Sequence, residues 1–155
     1  MESLRSRFDS SLFEIKQLLQ ADLFDSELDA ARELLNNGFL RASGAICGVI
    51  LEKHLGLVCT NHSLSLRKKN PAINDYNQLL KDENVIEVPT WRLLQRLADI
   101  RYLCDHNKEQ EPKKDETEDL INEAIIYTFI GCSKLAQVDV CKWLNHFFTH
   151  TRIRQ

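Results

Sequence analysis

The sequence predicts an all-α protein: a compact bundle of four to five helices with an additional C-terminal helix. Three observations lead there. Apolar residues recur at spacings of three and four along most of the chain, which is the period of a helix with one buried face. Only five glycines and three prolines punctuate 155 residues, too few for a fold of many short strands and turns. The length suits one domain spanning residues 1–155 with a single core, and the 43% apolar and 28% charged content is that of a globular chain.

The totals also exclude some function classes. A net charge of −3 provides no global positive field to gather nucleic acid, so any contact with RNA or DNA needs a local patch. The cysteines, 47, 59, 104, 132 and 141, are odd in number and contain no C-x-x-C pair. A disulfide framework is not expected, and reduced thiols in the cytoplasm are. No uninterrupted apolar run approaches the ~20 residues of a membrane span, and the N-terminus, with Arg5, Arg7, Asp9 and Glu14, lacks the apolar block of a signal peptide.

In chain order, Leu4, Phe8, Leu12, Ile15, Leu18 and Leu19 place one apolar stripe on a first helix. Asp25 or Ser26 is suited to cap a second, with Glu27 and Asp29 near its positive end and Leu28, Ala31, Leu34 and Leu35 facing inward. Asn36-Asn37-Gly38 ends that helix or bends it. Phe39 to Cys59 is the most apolar stretch and reads as the central helix of the bundle. Gly44 and Gly48 each cost about 1 kcal/mol of helix propensity against alanine, so close packing is expected to offset them. The G-x-x-x-G reading as a membrane dimer motif is disfavoured by flanking Arg41, Glu52 and Lys53. Thr60 to Pro71 is a polar connection whose Arg67-Lys68-Lys69 is more simply a solvated loop than a phosphate-contacting patch.

Ile73, Tyr76, Leu79 and Leu80 share one side of a short helix that Asp82-Glu83-Asn84 breaks. Thr90 is expected to cap the next long helix, with Trp91, Leu94, Leu97, Ala98 and Ile100 inside. Pro112 precedes a further helix whose first turn carries Asp115, Glu116 and Glu118. Leu120, Ile121, Ala124, Ile125, Thr128 and Phe129 follow at helical spacing, and Gly131 breaks that helix or leaves it running. Leu135, Val138, Trp143, Leu144, Phe147 and Phe148 suggest the last helix, closing the core or meeting a partner.

Chemistry concentrates where the Trp91 helix gives out, at Arg101-Tyr102-Leu103-Cys104-Asp105-His106-Asn107-Lys108. Histidine titrates near neutrality and can take or return a proton, and arginine presents a planar fork of donors that matches a phosphate. RNA carries its own nucleophile, the 2′-hydroxyl. A base and a cation therefore suffice to make a 2′,3′-cyclic phosphate and a free 5′-hydroxyl, with no metal and no cofactor. Asp105 is placed to orient the imidazole, and Asp105, Asn107 and Lys108 to hold substrate. On an ideal helix, residues five apart point about 140° away from each other. A common target for Arg101 and His106 thus needs either a kink near Cys104-Asp105 or an opposing pair from a second copy of the chain. The plainer readings are Arg101 paired with a nearby carboxylate and His106 favoured by the helix C-terminus.

The Arg101–His106 spacing, with four residues between, resembles the HEPN family (higher eukaryotes and prokaryotes nucleotide-binding), whose ribonuclease members carry Arg, four to six residues, then His. Asn37 to Gly44 leading into Leu51-Glu52-Lys53-His54-Leu55 resembles the central helix of that family, and Cys104 to Pro112 the turn after its motif. The likeness spans roughly residues 24–129 and leaves 131–155 as a C-terminal helical extension. It implies a homodimer with two Arg–His pairs around one cleft. The implied activity is a metal-independent endoribonuclease, often a toxin or defence effector, with a regulatory protein such as an antitoxin as a further partner. Arg101 would stabilise the phosphate and His106 would transfer the proton. Inactive members that dimerise or bind a nucleotide or partner are the alternative. Tyr102 stands where many active members have a small polar residue, and Lys108 where one toxin subgroup has a tyrosine that receives AMP.

Beyond the motif, Glu52 interrupts an apolar face and suits a buried partner for Arg41 or Arg101, so Glu52 and Arg41 are candidate supporting residues. His54 reads as structural. His146 and His150 have the spacing of a metal pair but lack a third ligand nearby other than Cys141, so no metal is expected. The chain holds no phosphate-binding glycine loop and no serine-hydrolase elbow.

Overall fold

The structure, a computed structural model, describes residue 12, residues 23–106 and residues 111–136, with side chains to residue 127, and among the described residues five helices follow one another. They are α1 over residues 23–36, α2 (Leu40–Asn61), α3 (Ile73–Asp82), α4 (Val88–Asp105) and α5 (Lys114–Ala136), and no strand occurs among the described residues. The expected all-α bundle is the observed architecture. The apolar stripe expected at Leu4 to Leu19, apart from an exposed, helical Leu12, lies outside the described residues, as does the segment from residue 137.

The reason α2 sits in the middle is its composition. Cys47, Ile50, Leu51, Leu55 and Cys59 are buried along it, each at most 3% exposed. They meet Leu28, Ala31 and Leu35 of α1, Ile73 and Leu80 of α3, Leu94, Leu97 and Ile100 of α4, and Leu120, Ile121 and Ala124 of α5 in one cluster. By length and composition α2 would suit a membrane crossing, contrary to the expectation that no stretch approaches a span. Half of that stretch is buried against the other helices, as in the core helix of a bundle. Polar cross-links fix its neighbours. Ser43 Oγ donates to the Ala31 carbonyl at 2.7 Å, and Asn77 Nδ2 of α3 donates to the Trp91 carbonyl of α4 at 2.9 Å.

The first three helices end by the same backbone device. In each, a residue in the left-handed region lets two successive N–H groups fold back onto the last carbonyls. Gly38 (φ 84°) closes α1 with bonds from Gly38 to Leu35 and Phe39 to Leu34. Ser63 (φ 58°) closes α2 with Ser63 to Thr60 and Leu64 to Cys59, and Asn84 (φ 56°) closes α3 with Asn84 to Lys81 and Val85 to Leu80. The breaks expected at Asn36-Asn37-Gly38 and Asp82-Glu83-Asn84 are therefore real helix stops.

Helix starts differ more from expectation. Residues 23–36 are continuously helical, so Asp25 and Ser26 lie inside α1 rather than capping it. Helix α4 begins at Val88 with Glu87 as N-cap and a proline in its first turn. Pro89 has a preset φ suited to that turn, so the helix starts before Thr90 instead of at it. Both α3 and α5 use an acidic residue three positions inside. Asp75 accepts from Ala72 N–H at 2.7 Å and Glu116 from Lys113 N–H at 3.2 Å. Helix α5 runs through Gly131 without a break.

Candidate functional site

Helix α4 lies antiparallel against the small-residue face of α2, and this packing shapes the site. A Cβ placed on Gly44 would fall 2.2 Å from Cys104 Sγ. One placed on Gly48 would fall 2.3 Å from both Cγ and Cδ of Arg101. The two glycines therefore form a groove in which the stem of Arg101 lies flat, and this contact is what offsets their poor helix propensity.

Past Gly48 the Arg101 guanidinium meets two carboxylates. Its Nη1 is 3.2 Å from Glu52 Oε2 on α2 and 3.6 Å from Asp105 Oδ2 one turn along α4. The arginine side chain keeps 20% of its surface exposed, Glu52 26% and Asp105 30%, so the ion pair borders solvent. Arg101 Nε is buried and has no hydrogen-bond partner. Such an orphan donor costs roughly 1–3 kcal/mol, and it is held in place by the groove that traps the stem.

His106 is the C-cap of α4, exposed, with extended backbone at φ −110° and ψ 132°. Its ring meets Tyr102 edge to face, with centroids 4.2 Å apart and planes at 83°. Arg101 and Asp105 thus occupy one face of the helix end, and Tyr102 and His106 the next. Helix α4 stays regular through Asp105, so the kink considered near Cys104-Asp105 is absent. Arg101 is engaged with carboxylates while His106 packs on Tyr102.

Arg41 completes the constellation. Its Nη1 donates to the carbonyl oxygens of Leu103 and His106, at 2.7 and 2.5 Å. Of the two supporting roles anticipated, Glu52 serves Arg101, whereas Arg41 serves the end of α4. Asp105 joins the cluster through Arg101, and Asn107 and Lys108 fall outside the described residues. Two participants were not assigned by sequence: Cys104, which seats the helix on Gly44, and Tyr102, which carries the imidazole. Arg41, Gly44, Gly48 and Glu52 are spaced three, four and four apart, one ridge of a helix, and that ridge was the available signal.

The thiols are inert in character. Burial, with Cys104 close by, pushes Cys47 up to about 12, and burial beside Asp105 pushes Cys104 up to about 11. His54 is buried and its imidazole is driven down to about 4 by desolvation, which keeps it neutral. Lys68, from the loop read as a basic stretch, is 2.6 Å from Asp75 at the start of α3. That hydrogen bond, then the one from Ala72 N–H, holds the Asp75 carboxyl below its usual range. Among the described residues no three His, Cys, Asp or Glu side chains group as a metal site.

One helical step round α2 from the two glycines, the surface turns apolar. Ala45, Ile46 and Val49 line an open recess of about 400 Å³ with Ala30 and Glu27 of α1. Val49 is 39% exposed and Phe39, at the start of the same helix, 60%. Compared with known proteins, the chain matches no family model, no curated protein and no solved structure.

Proposed function

We propose that the protein is a metal-independent endoribonuclease of the HEPN type, acting as a homodimer on RNA in the cytoplasm as a toxin or as a defence or stress effector. The observation that carries this reading is the placement of Arg101 and His106 on either side of the α4 terminus, both reaching solvent. In this reading Arg101 binds the scissile phosphate and stabilises its developing charge, and His106 moves the proton. The 2′-oxygen attacks the adjacent phosphorus and the bond to the 5′-oxygen breaks. The proton leaving the 2′-hydroxyl is balanced by one delivered to the 5′-oxygen.

Because Arg101 and His106 face different ways within one chain, the reading requires a second copy whose pair faces the first. The exposed apolar side chains Phe39 and Val49 of α2, near the Arg101 groove, support such an arrangement. A regulatory protein such as an antitoxin is a further expected partner. A second reading is favoured by one observation, the engagement of Arg101 by Glu52 and Asp105. On that reading the arginine is structural, and the chain is a dimerising or nucleotide- or partner-binding module.

Cleavage of a labelled single-stranded RNA in EDTA separates them, run beside Arg101→Ala and His106→Ala. The nuclease reading expects cyclic-phosphate ends from the wild type and at least a hundredfold loss in both variants. Equal activity in all three proteins, or no activity across several RNAs with a well-formed dimer, would transfer support to the binding module.

A further inference from the structure

Helices α1, α2 and α3 end by folding their own backbone over in the left-handed region. Helix α4 differs at its C-cap: where the C-caps of α2 and α3 stay near helical values, His106 is extended, and its N–H donates to the Tyr102 carbonyl at 3.3 Å. Two carbonyls at this end accept from a side chain of another helix. Arg41, in the first turn of α2, donates to the oxygens of Leu103 and His106. A guanidinium suits this task because a single Nη1 carries two N–H donors, one for each carbonyl, and its charge complements the negative end of the helix. The second acceptor is the carbonyl of the histidine itself, so the contact constrains the backbone from which the imidazole projects.

We propose that Arg41 is a positioning residue for the reaction assigned above, setting where α4 stops and hence where the His106 imidazole stands. The proposal rests on that functional reading for its kinetic consequence, but its structural content does not depend on it. The same ridge of α2 then governs both members of the pair: Glu52 and Gly48 place Arg101, and Arg41 places His106. Arg41 acts through the backbone oxygens of Leu103 and His106.

The experiment compares wild type, Arg41→Met and Arg41→Lys. Two quantities are read. The first is the ring-current shift of the His106 imidazole protons by NMR, assigned by its loss in Tyr102→Leu, since His106 lies edge-on to Tyr102. The second is the split of RNA cleavage into kcat and KM.

Arg41→Met should abolish the ring-current shift and lower kcat at least tenfold with KM within twofold. Arg41→Lys, which keeps the charge and a nitrogen with more than one donor but on a differently shaped side chain, should recover part of both. Retention of the shift in Arg41→Met would overturn the proposal. If wild type cuts no RNA, the nuclease reading fails by itself, and the NMR comparison still decides whether Arg41 places His106.

Discussion

Replacing Gly48 by alanine tests the groove directly. In an ordinary helix interior the change stabilises by about 1 kcal/mol. Here the new Cβ would lie 2.3 Å from Cγ and Cδ of Arg101 and 2.6 Å from Nε. No carbon tolerates that approach, so the arginine stem must lift out, surrendering the 3.2 Å contact with Glu52. Overpacking of this kind costs about 1–3 kcal/mol, reduced because the displaced atoms belong to a flexible side chain and the orphan Nε regains water. The strain offsets the helix gain or slightly exceeds it, and Gly48→Ala should leave stability unchanged or lower it by up to about 1 kcal/mol. In an Arg101→Ala background the obstacle is gone and the same substitution should stabilise by the full helix increment, about 1 kcal/mol. Urea unfolding followed by circular dichroism, run on all four proteins of the cycle, measures the coupling, expected at about 1–2 kcal/mol. An identical effect of Gly48→Ala in both backgrounds would refute the close approach, and with it the account of how Arg101 is placed.

Two further outcomes follow from buried groups. His54, neutral in the fold at a value near 4 against 6.5 for the free side chain, binds a proton more readily when unfolded. Stability should therefore be at full strength above about pH 6.5 and fall by about 3 kcal/mol as the pH drops to about 4. His54→Leu should remove that slope, visible as a wild-type minus variant difference in urea midpoints between pH 7 and pH 4. Cys47 and Cys104 are buried and their thiols raised, so iodoacetamide at pH 7.5 should leave both unmodified in the folded protein and label both in urea. Peptide mass spectrometry reads the difference, and rapid labelling of Cys104 under native conditions would show that α4 separates from α2.

Much of the bundle was legible because burial repeats with helical period. Leu28, Ala31 and Leu35, then Leu94, Leu97 and Ile100, then Leu120, Ile121 and Ala124 are inside as their spacing required. Helix stops at Gly38 and Asn84 were legible because few residue types enter the left-handed region without strain. Helix starts were less so. Asp25 and Ser26 have cap chemistry, yet α1 runs through them, since one cap is worth about 1 kcal/mol and tertiary packing of Phe24 and Leu28 exceeds it. At the site, residue types and approximate location were readable, but pairing was not. Whether Arg41 or Arg101 took Glu52 depended on the phase between α2 and α4, which two helices share only once packed. The contact of His106 with Tyr102 depended on the helix remaining regular to Asp105, which the polar run after Leu103 did not suggest.

The ridge on α2 bears on how the sequence can change length. From Arg41 to Glu52 the chain spans twelve residues, and its contacts with α4 fall on one line. A single inserted residue between Arg41 and Gly48 would turn everything before it by about 100° and slide it 1.5 Å. Arg41 would then face a different neighbour while Arg101 kept its seat, uncoupling the two ends of the motif in one step. The connection over residues 62–72 is under no such discipline, because doubling the length of a surface loop costs only about 0.6 kcal/mol. Substitutions on the exposed positions of α2 can therefore accumulate so long as its count of residues is preserved, whereas insertions and deletions should be confined to the loops on either side of α3.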